Sequence, residues 1–117
     1  MKPAPVKPAI KLDIVNQVDA RVGTIERVSE VDGSRKLVRL TVDFGDHTRT
    51  IFAGMKQERE DPIEIEGRQA LFIINLKPRK MMGEVSEGML FDVGYEDGLQ
   101  PAFLTPERPV PNGTRAG

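Results

Sequence analysis

The 117-residue chain contains no cysteine and no tryptophan, one tyrosine and one histidine. The first absence excludes disulfides and thiolate metal sites, and fits a reducing compartment such as the cytoplasm. No stretch reaches the roughly 20 apolar residues of a membrane span. The beginning, MKPAPVKPAIKLDIV, lacks the apolar run of a secretory signal. No P-loop, GxGxxG, GxSxG or HExxH is present, so the sequence reads as a non-catalytic protein without a cofactor. The lone histidine, His47, has no second titratable partner in a visible motif and reads as a solvated turn residue. EDPIEIE at 60–66 is acidic without ligand spacing and reads as a solvated face, not a metal site.

Charge of one sign is also lacking: 17 basic residues nearly cancel 18 acidic ones. The total conceals local imbalance. RKLVR at 35–39 and KPRK at 77–80 carry positive charge with no acid. A neutral chain can still present a basic patch if the fold brings such clusters together.

What is present is a succession of short strand signals. Three prolines within residues 1–9 suggest a flexible N-terminal tail, followed by a helical turn around Ile14 and Val18. Residues 20–31 read as a strand with Gly23 as a bulge or close-approach point. Asp32-Gly33-Ser34 supplies a turn. Val38, Leu40, Val42 and Phe44 then alternate with polar neighbours, the period of a half-buried strand. Residues 48–54 return as a hairpin, and 55–67 read as a loop with a short helix stopped at Gly67. QALFIIN at 69–75 is a nearly continuous apolar run, read as a strand buried on both faces. A fifth strand is read at 88–93. The proline-rich ending, about 98–117, is too apolar for a free tail and reads as extended segments packed on the body or on a second chain.

Five short strands with a helix between the third and fourth is the order of an OB-fold, an all-β, five-stranded Greek-key barrel, with extra N- and C-terminal segments in this chain. An immunoglobulin-like sandwich would need about seven strands. In the OB arrangement residues 32–36 and 76–87 are the two loops that frame the ligand face, so the separate basic clusters meet there. Residues 10–117 then form one domain.

Candidate contacts follow from chemistry. Lys36, Arg39, Lys77, Arg79 and Lys80 suit phosphate, with Pro78 stiffening the second cluster. Asn75 and Ser86 can cap their own loops or read a base edge. Of Met81 and Met82, one is expected to plug the barrel and the other to offer a soft apolar surface. Phe44, Phe72 and Phe91 fall in core patterns, and Phe52 is the best placed exposed stacking ring. With so few aromatics, recognition of a folded RNA by shape fits better than stacking along a strand.

These residues carry a family resemblance. From about Asp19 onward the chain resembles the stand-alone tRNA-binding domain proteins. These are similar to the C-terminal domain of methionyl-tRNA synthetases, to the endothelial-monocyte-activating-polypeptide domain and to CsaA-type secretion chaperones. DARVGTIERV resembles the family's first strand and SRKLVRLTVDFG its second. NLKPRKMMGEVSEGML resembles its most diagnostic motif, and LTPERPVPNGTRAG the CsaA-type ending. The third strand departs, carrying IFAGMKQ where CsaA-type chaperones often have a polar run. The resemblance implies an OB-fold, homodimerisation through the terminal segments (about 98–117 at the C-terminus) and structure-dependent tRNA binding without catalysis. Its tRNA face would comprise Lys36, Arg39, Asn75, Lys77, Arg79, Lys80, Met82, Ser86 and Met89. It also implies two alternatives, a chaperone binding unfolded preproteins or a domain acting in trans with an aminoacyl-tRNA synthetase.

Overall fold

The computed structural model describes residues 2–56 and 59–117. After an irregular, exposed stretch, a single helical turn, α1 (Leu12–Val15), leads into nine strands among the described residues. The first is the longest, β1 (Ala20–Glu30), followed by β2 (Val38–Asp43), β3 (Thr48–Ala53) and β4 (Gln69–Ile73). Then come β5 (Arg79–Met81), β6 (Glu84–Ser86), β7 (Met89–Leu90), β8 (Asp92–Val93) and β9 (Ala102–Phe103).

The main sheet is antiparallel, in the order β3-β2-β1-β4-β7. β1 serves both halves: Thr24–Glu30 pairs with β2, and Ala20–Thr24 with β4. Its register shifts between Ile25 and Arg27, where a bulge bends the strand around the core. Gly23 is therefore the close-approach point and not the bulge. A Cβ there would stand 2.6 Å from Val42 Cγ1 and 2.9 Å from Phe44 Cε1. The curled sheet is drawn together at its open side, as the N–H of Glu87 donates to the carbonyl of Thr50 (2.8 Å). The Thr50 N–H donates in turn to Glu87 Oε1 (3.1 Å). The result is the OB-type barrel expected from the strand order.

The alternating side chains Leu40, Val42, Phe44, Ile25, Ile51 and Phe72 fill the barrel. A 3-10 helix at Pro62–Ile65 closes one end with the fully buried Ile65. Asp61 caps it by accepting from the Ile63 N–H, and Pro62 suits the first helical position.

Four expectations change. β4 alternates: Ala70, Phe72 and Ile74 are buried, while Leu71 and Ile73 are only half-buried. The fifth strand divides, β7 staying in the main sheet and β8 pairing with β9. With Leu90 facing the core, period-2 geometry turns Phe91 outward, 40% exposed, so it is not a core ring. Phe52, expected as an exposed ring, is 6% exposed beneath the Arg39 guanidinium, 5.7 Å from the ring centroid.

The C-terminal stretch packs on the body. Its Gly113 N–H donates to the Val22 carbonyl (2.7 Å), the Val22 N–H to Thr114 (2.9 Å) and the Ala116 N–H to Ala20 (2.8 Å). It thus covers the edge of β1 that β2 leaves free. Asn75 ties down the other terminus, accepting from the Asp19 N–H (2.8 Å) and donating to the Gln17 carbonyl (2.7 Å).

Candidate nucleic-acid interface

Residues 76–87, expected as a stiff loop, instead form a hairpin, β5 and β6, turned by Met82 (φ 52°) and Gly83 (φ 80°). Positive φ at both central residues is the type I′ turn, whose twist matches paired strands. Met82 adopts the left-handed conformation without being glycine, an uncommon state for an unbranched apolar residue. The hairpin tip approaches the β1–β2 turn: a Cβ on Gly33 would meet Met82 Cε at 3.4 Å.

The register divides the basic cluster. Arg79 opposes Ser86, Lys80 opposes Val85, and Met81 opposes Glu84. Opposed residues share a face, so Arg79, Met81, Glu84 and Ser86 lie on one side and Lys80 with the exposed Val85 on the other. The inner side is anchored. Ser86 is 4% exposed and its hydroxyl is spent within the chain, accepting from the Phe52 N–H (3.1 Å) and donating to the Gly88 carbonyl (3.2 Å). Arg39 reaches across from β2. Its Nε donates to Glu84 Oε1 (2.9 Å), its Nη2 pairs with Glu84 Oε2, and its Nη1 donates to Ser29 Oγ and the Glu30 carbonyl (both 3.2 Å). This hydrogen-bonded pairing lowers the Glu84 pKa and raises that of Arg39.

The expected contacts therefore separate. Lys36, Arg79 and Met89 line one concavity of about 600 Å³ between β3, β5 and the β7–β8 segment. Lys77, Lys80 and Met82 are exposed on the hairpin and its approach. Arg39, Asn75 and Ser86 are not brought to this surface as free groups. Arg39 and Asn75 are engaged with other segments of the chain, and Ser86 is buried. Of the methionines, the core takes Met55, not Met81 or Met82, and Met81 is half-buried.

Sequence reasoning missed Glu84, Asp92 and Tyr95. Asp92 and Tyr95 line the same concavity as Lys36 and Arg79. Burial pushes the Asp92 carboxyl above its ordinary range, with only its own backbone N–H opposing. A signal for Tyr95 was its being the one tyrosine, directly after a strand. His47 is more engaged than a solvated turn residue: it contacts Asp46 Oδ1 through Nδ1 (2.6 Å), accepts from Arg49 Nε (2.9 Å) and stacks on Phe44. Among the described residues no group of three His, Cys, Asp or Glu side chains could hold a metal.

Known proteins share this architecture. The family model described as "Putative tRNA binding domain" matches residues 20–115. The MetRS-related protein of Pyrococcus horikoshii is 32% identical, with a TM-score of 0.86, over 95% of this chain and 100% of that one. The CsaA chaperone of Bacillus anthracis is 25% identical, with a TM-score of 0.81, over 94% of this chain and 100% of that one. The C-terminal domain of Plasmodium vivax p43 is 25% identical, with a TM-score of 0.75, over 86% of this chain and 60% of that one. With the OB-type barrel, the basic hairpin and a match across most of its length, this chain belongs to the tRNA-binding domain family.

Proposed function

We propose that the chain is a non-catalytic, homodimeric module of the cytoplasm that binds folded tRNA by shape and phosphate contacts. One observation carries the reading: Lys36 and Arg79, from basic clusters 43 positions apart in sequence, line one concavity on the OB face of a tRNA-binding family member. In this reading Lys36, Lys77, Arg79 and Lys80 contact phosphates, and Met82 and Met89 touch the RNA with soft apolar surface. Arg39, Asn75 and Ser86 contribute by holding the hairpin, the N-terminal segment and β3 in place. The homodimer would bury the exposed Leu12, Ile14, Val15 and Val18, an apolar group that the described chain leaves open to solvent.

A filter-binding salt titration tests the proposal. With roughly three to five phosphate contacts, log affinity for tRNA should fall against log salt with a slope between about −2 and −4. Tight binding insensitive to salt would remove its electrostatic basis.

The likeness to a CsaA chaperone, together with the same exposed apolar residues, supports a second reading as a binder of unfolded preproteins. Suppression of client aggregation that survives alanine at Lys77, Arg79 and Lys80 would favour it. The likeness to a MetRS-related protein supports a third reading, docking in trans on an aminoacyl-tRNA synthetase, which co-sedimentation with a synthetase would reveal.

A further inference from the structure

The concavity shared by Lys36 and Arg79 is lined by chemically different groups. Both cations are exposed, and neither makes an ion pair or side-chain hydrogen bond with another described residue. On the β7–β8 side stand Asp92 and Tyr95. The Asp92 carboxylate has no side-chain or ion-pair partner among the described residues. The Tyr95 ring is 73% exposed and packs in no aromatic pair among them. Met89 and the buried Phe52 line the same concavity. Cations, apolar side chains, an unstacked ring and a carboxylate without a side-chain partner thus line a single depression.

We infer that this concavity is a specificity pocket for one unpaired guanine nucleotide, with the phosphate on Lys36 and Arg79 and the base between Met89 and Tyr95, its edge toward Asp92. The inference rests on the tRNA-binding reading and names what that site selects. A carboxylate offers two acceptors and, when ionised, no donor. Guanine presents two adjacent donors, N1–H and the N2 amino group, on its Watson–Crick edge. Adenine and cytosine set one amino donor beside a ring-nitrogen acceptor, and uracil flanks its single donor with two carbonyl oxygens. Asp92 therefore attracts guanine and repels part of every other base edge. Sequence-specific RNA readers take unstacked bases on those edges and on aromatic rings, and stacking on Tyr95 would add affinity without selecting the base. An apolar peptide side chain would cover the apolar side chains but leave both cations and the carboxylate without partners.

The experiment is fluorescence anisotropy of end-labelled UUGUU, UUAUU, UUCUU and UUUUU with the full chain at low salt, alongside intact tRNA. The expected result is UUGUU bound about tenfold more tightly than the other three, within the range one bidentate base contact discriminates. Asp92→Asn replaces one acceptor by a donor facing the guanine donors, and should reduce the ratio to within about twofold. Lys36→Ala should weaken all four oligonucleotides alike and preserve the ratio; circular dichroism melts establish that each variant is folded. Equal binding of the four by the wild type, or a ratio unaltered by Asp92→Asn, overturns the inference. Salt-dependent tRNA binding without guanine preference overturns the pocket assignment while leaving the tRNA reading intact. Absence of binding to both tRNA and oligonucleotides removes both. Displacement of UUGUU by an unfolded polypeptide, at equal cost in wild type and Asp92→Asn, assigns the depression to peptide and also overturns the inference.

Discussion

Arg39 and Glu84 form a clasp between β2 and the β5–β6 hairpin, joining residues 45 positions apart through both carboxylate oxygens. Four guanidinium contacts are spent within the chain, so Arg39 acts by orienting the hairpin. Arg39→Ala should lower tRNA affinity while leaving the salt slope nearly unchanged. Lys36→Ala should flatten the slope by up to about 0.9, the signature of a lost phosphate contact. The exchanged pair Arg39→Glu with Glu84→Arg should recover much of the affinity. A slope reduced by Arg39→Ala, with no rescue by the exchange, would make Arg39 a phosphate ligand instead.

The clasp also has a pH window. The Arg39 hydrogen bond holds the Glu84 pKa below its ordinary value of about 4.3. An acid with a depressed folded pKa contributes stability above its unfolded value and loses it as pH falls through the folded one. The hairpin should therefore stay clasped from neutral pH to below about 4.3 and release in stronger acid. Carboxyl carbon NMR titration of Glu84 measures this directly. Arg39→Ala should move its midpoint upward, and an unmoved midpoint would eliminate Arg39 as the cause of the shift.

Ser86→Ala distinguishes support from contact. Removing the hydroxyl leaves the buried Phe52 N–H without its acceptor, which costs about 1–3 kcal/mol. Chemical denaturation should show that loss, while tRNA affinity per folded molecule stays close to wild type. Unchanged stability with weakened tRNA binding would return Ser86 to the ligand surface.

Met82 occupies a left-handed turn position that asparagine favours ahead of glycine. Met82→Asn should stabilise the protein by about 1 kcal/mol, the low end of such backbone strain, read as a raised denaturation midpoint. If the methionine also touches RNA, tRNA affinity should fall although stability rises. A rise in stability with unchanged affinity confines its role to the turn and to the contact with Gly33.

Much of this architecture is legible in the sequence. The alternation of Val38, Leu40, Val42 and Phe44 and the turns at Gly33 and Gly45 are local signals, and the strands appear where those signals put them. Phe91 and Phe52 defy their sequence patterns for one reason. Each faces outward from the barrel, and whether an outward ring is covered depends on other segments. Phe91 stays 40% exposed, whereas Arg39 lies over Phe52. The hairpin within 76–87 is hidden in the sequence because its turn is Met-Gly, outside the usual Asn-Gly and Asp-Gly signals.

By itself the sequence determined the strand order, the membership of the family and the existence of two acid-free basic clusters, because periodicity, turn chemistry and motifs are written over a few neighbouring residues. Only the tertiary structure decided which polar groups remain available to a ligand. Asn75 is engaged by Asp19 from 56 positions away, Ser86 by Phe52 from 34, and Arg39 by Glu84 from 45. The hairpin register turned Arg79 and Lys80 to opposite faces and left Arg79 lining one concavity with Lys36 and Asp92. Hydrogen-bonding capacity is spent across such distances, so it becomes visible only when the chain has closed on itself.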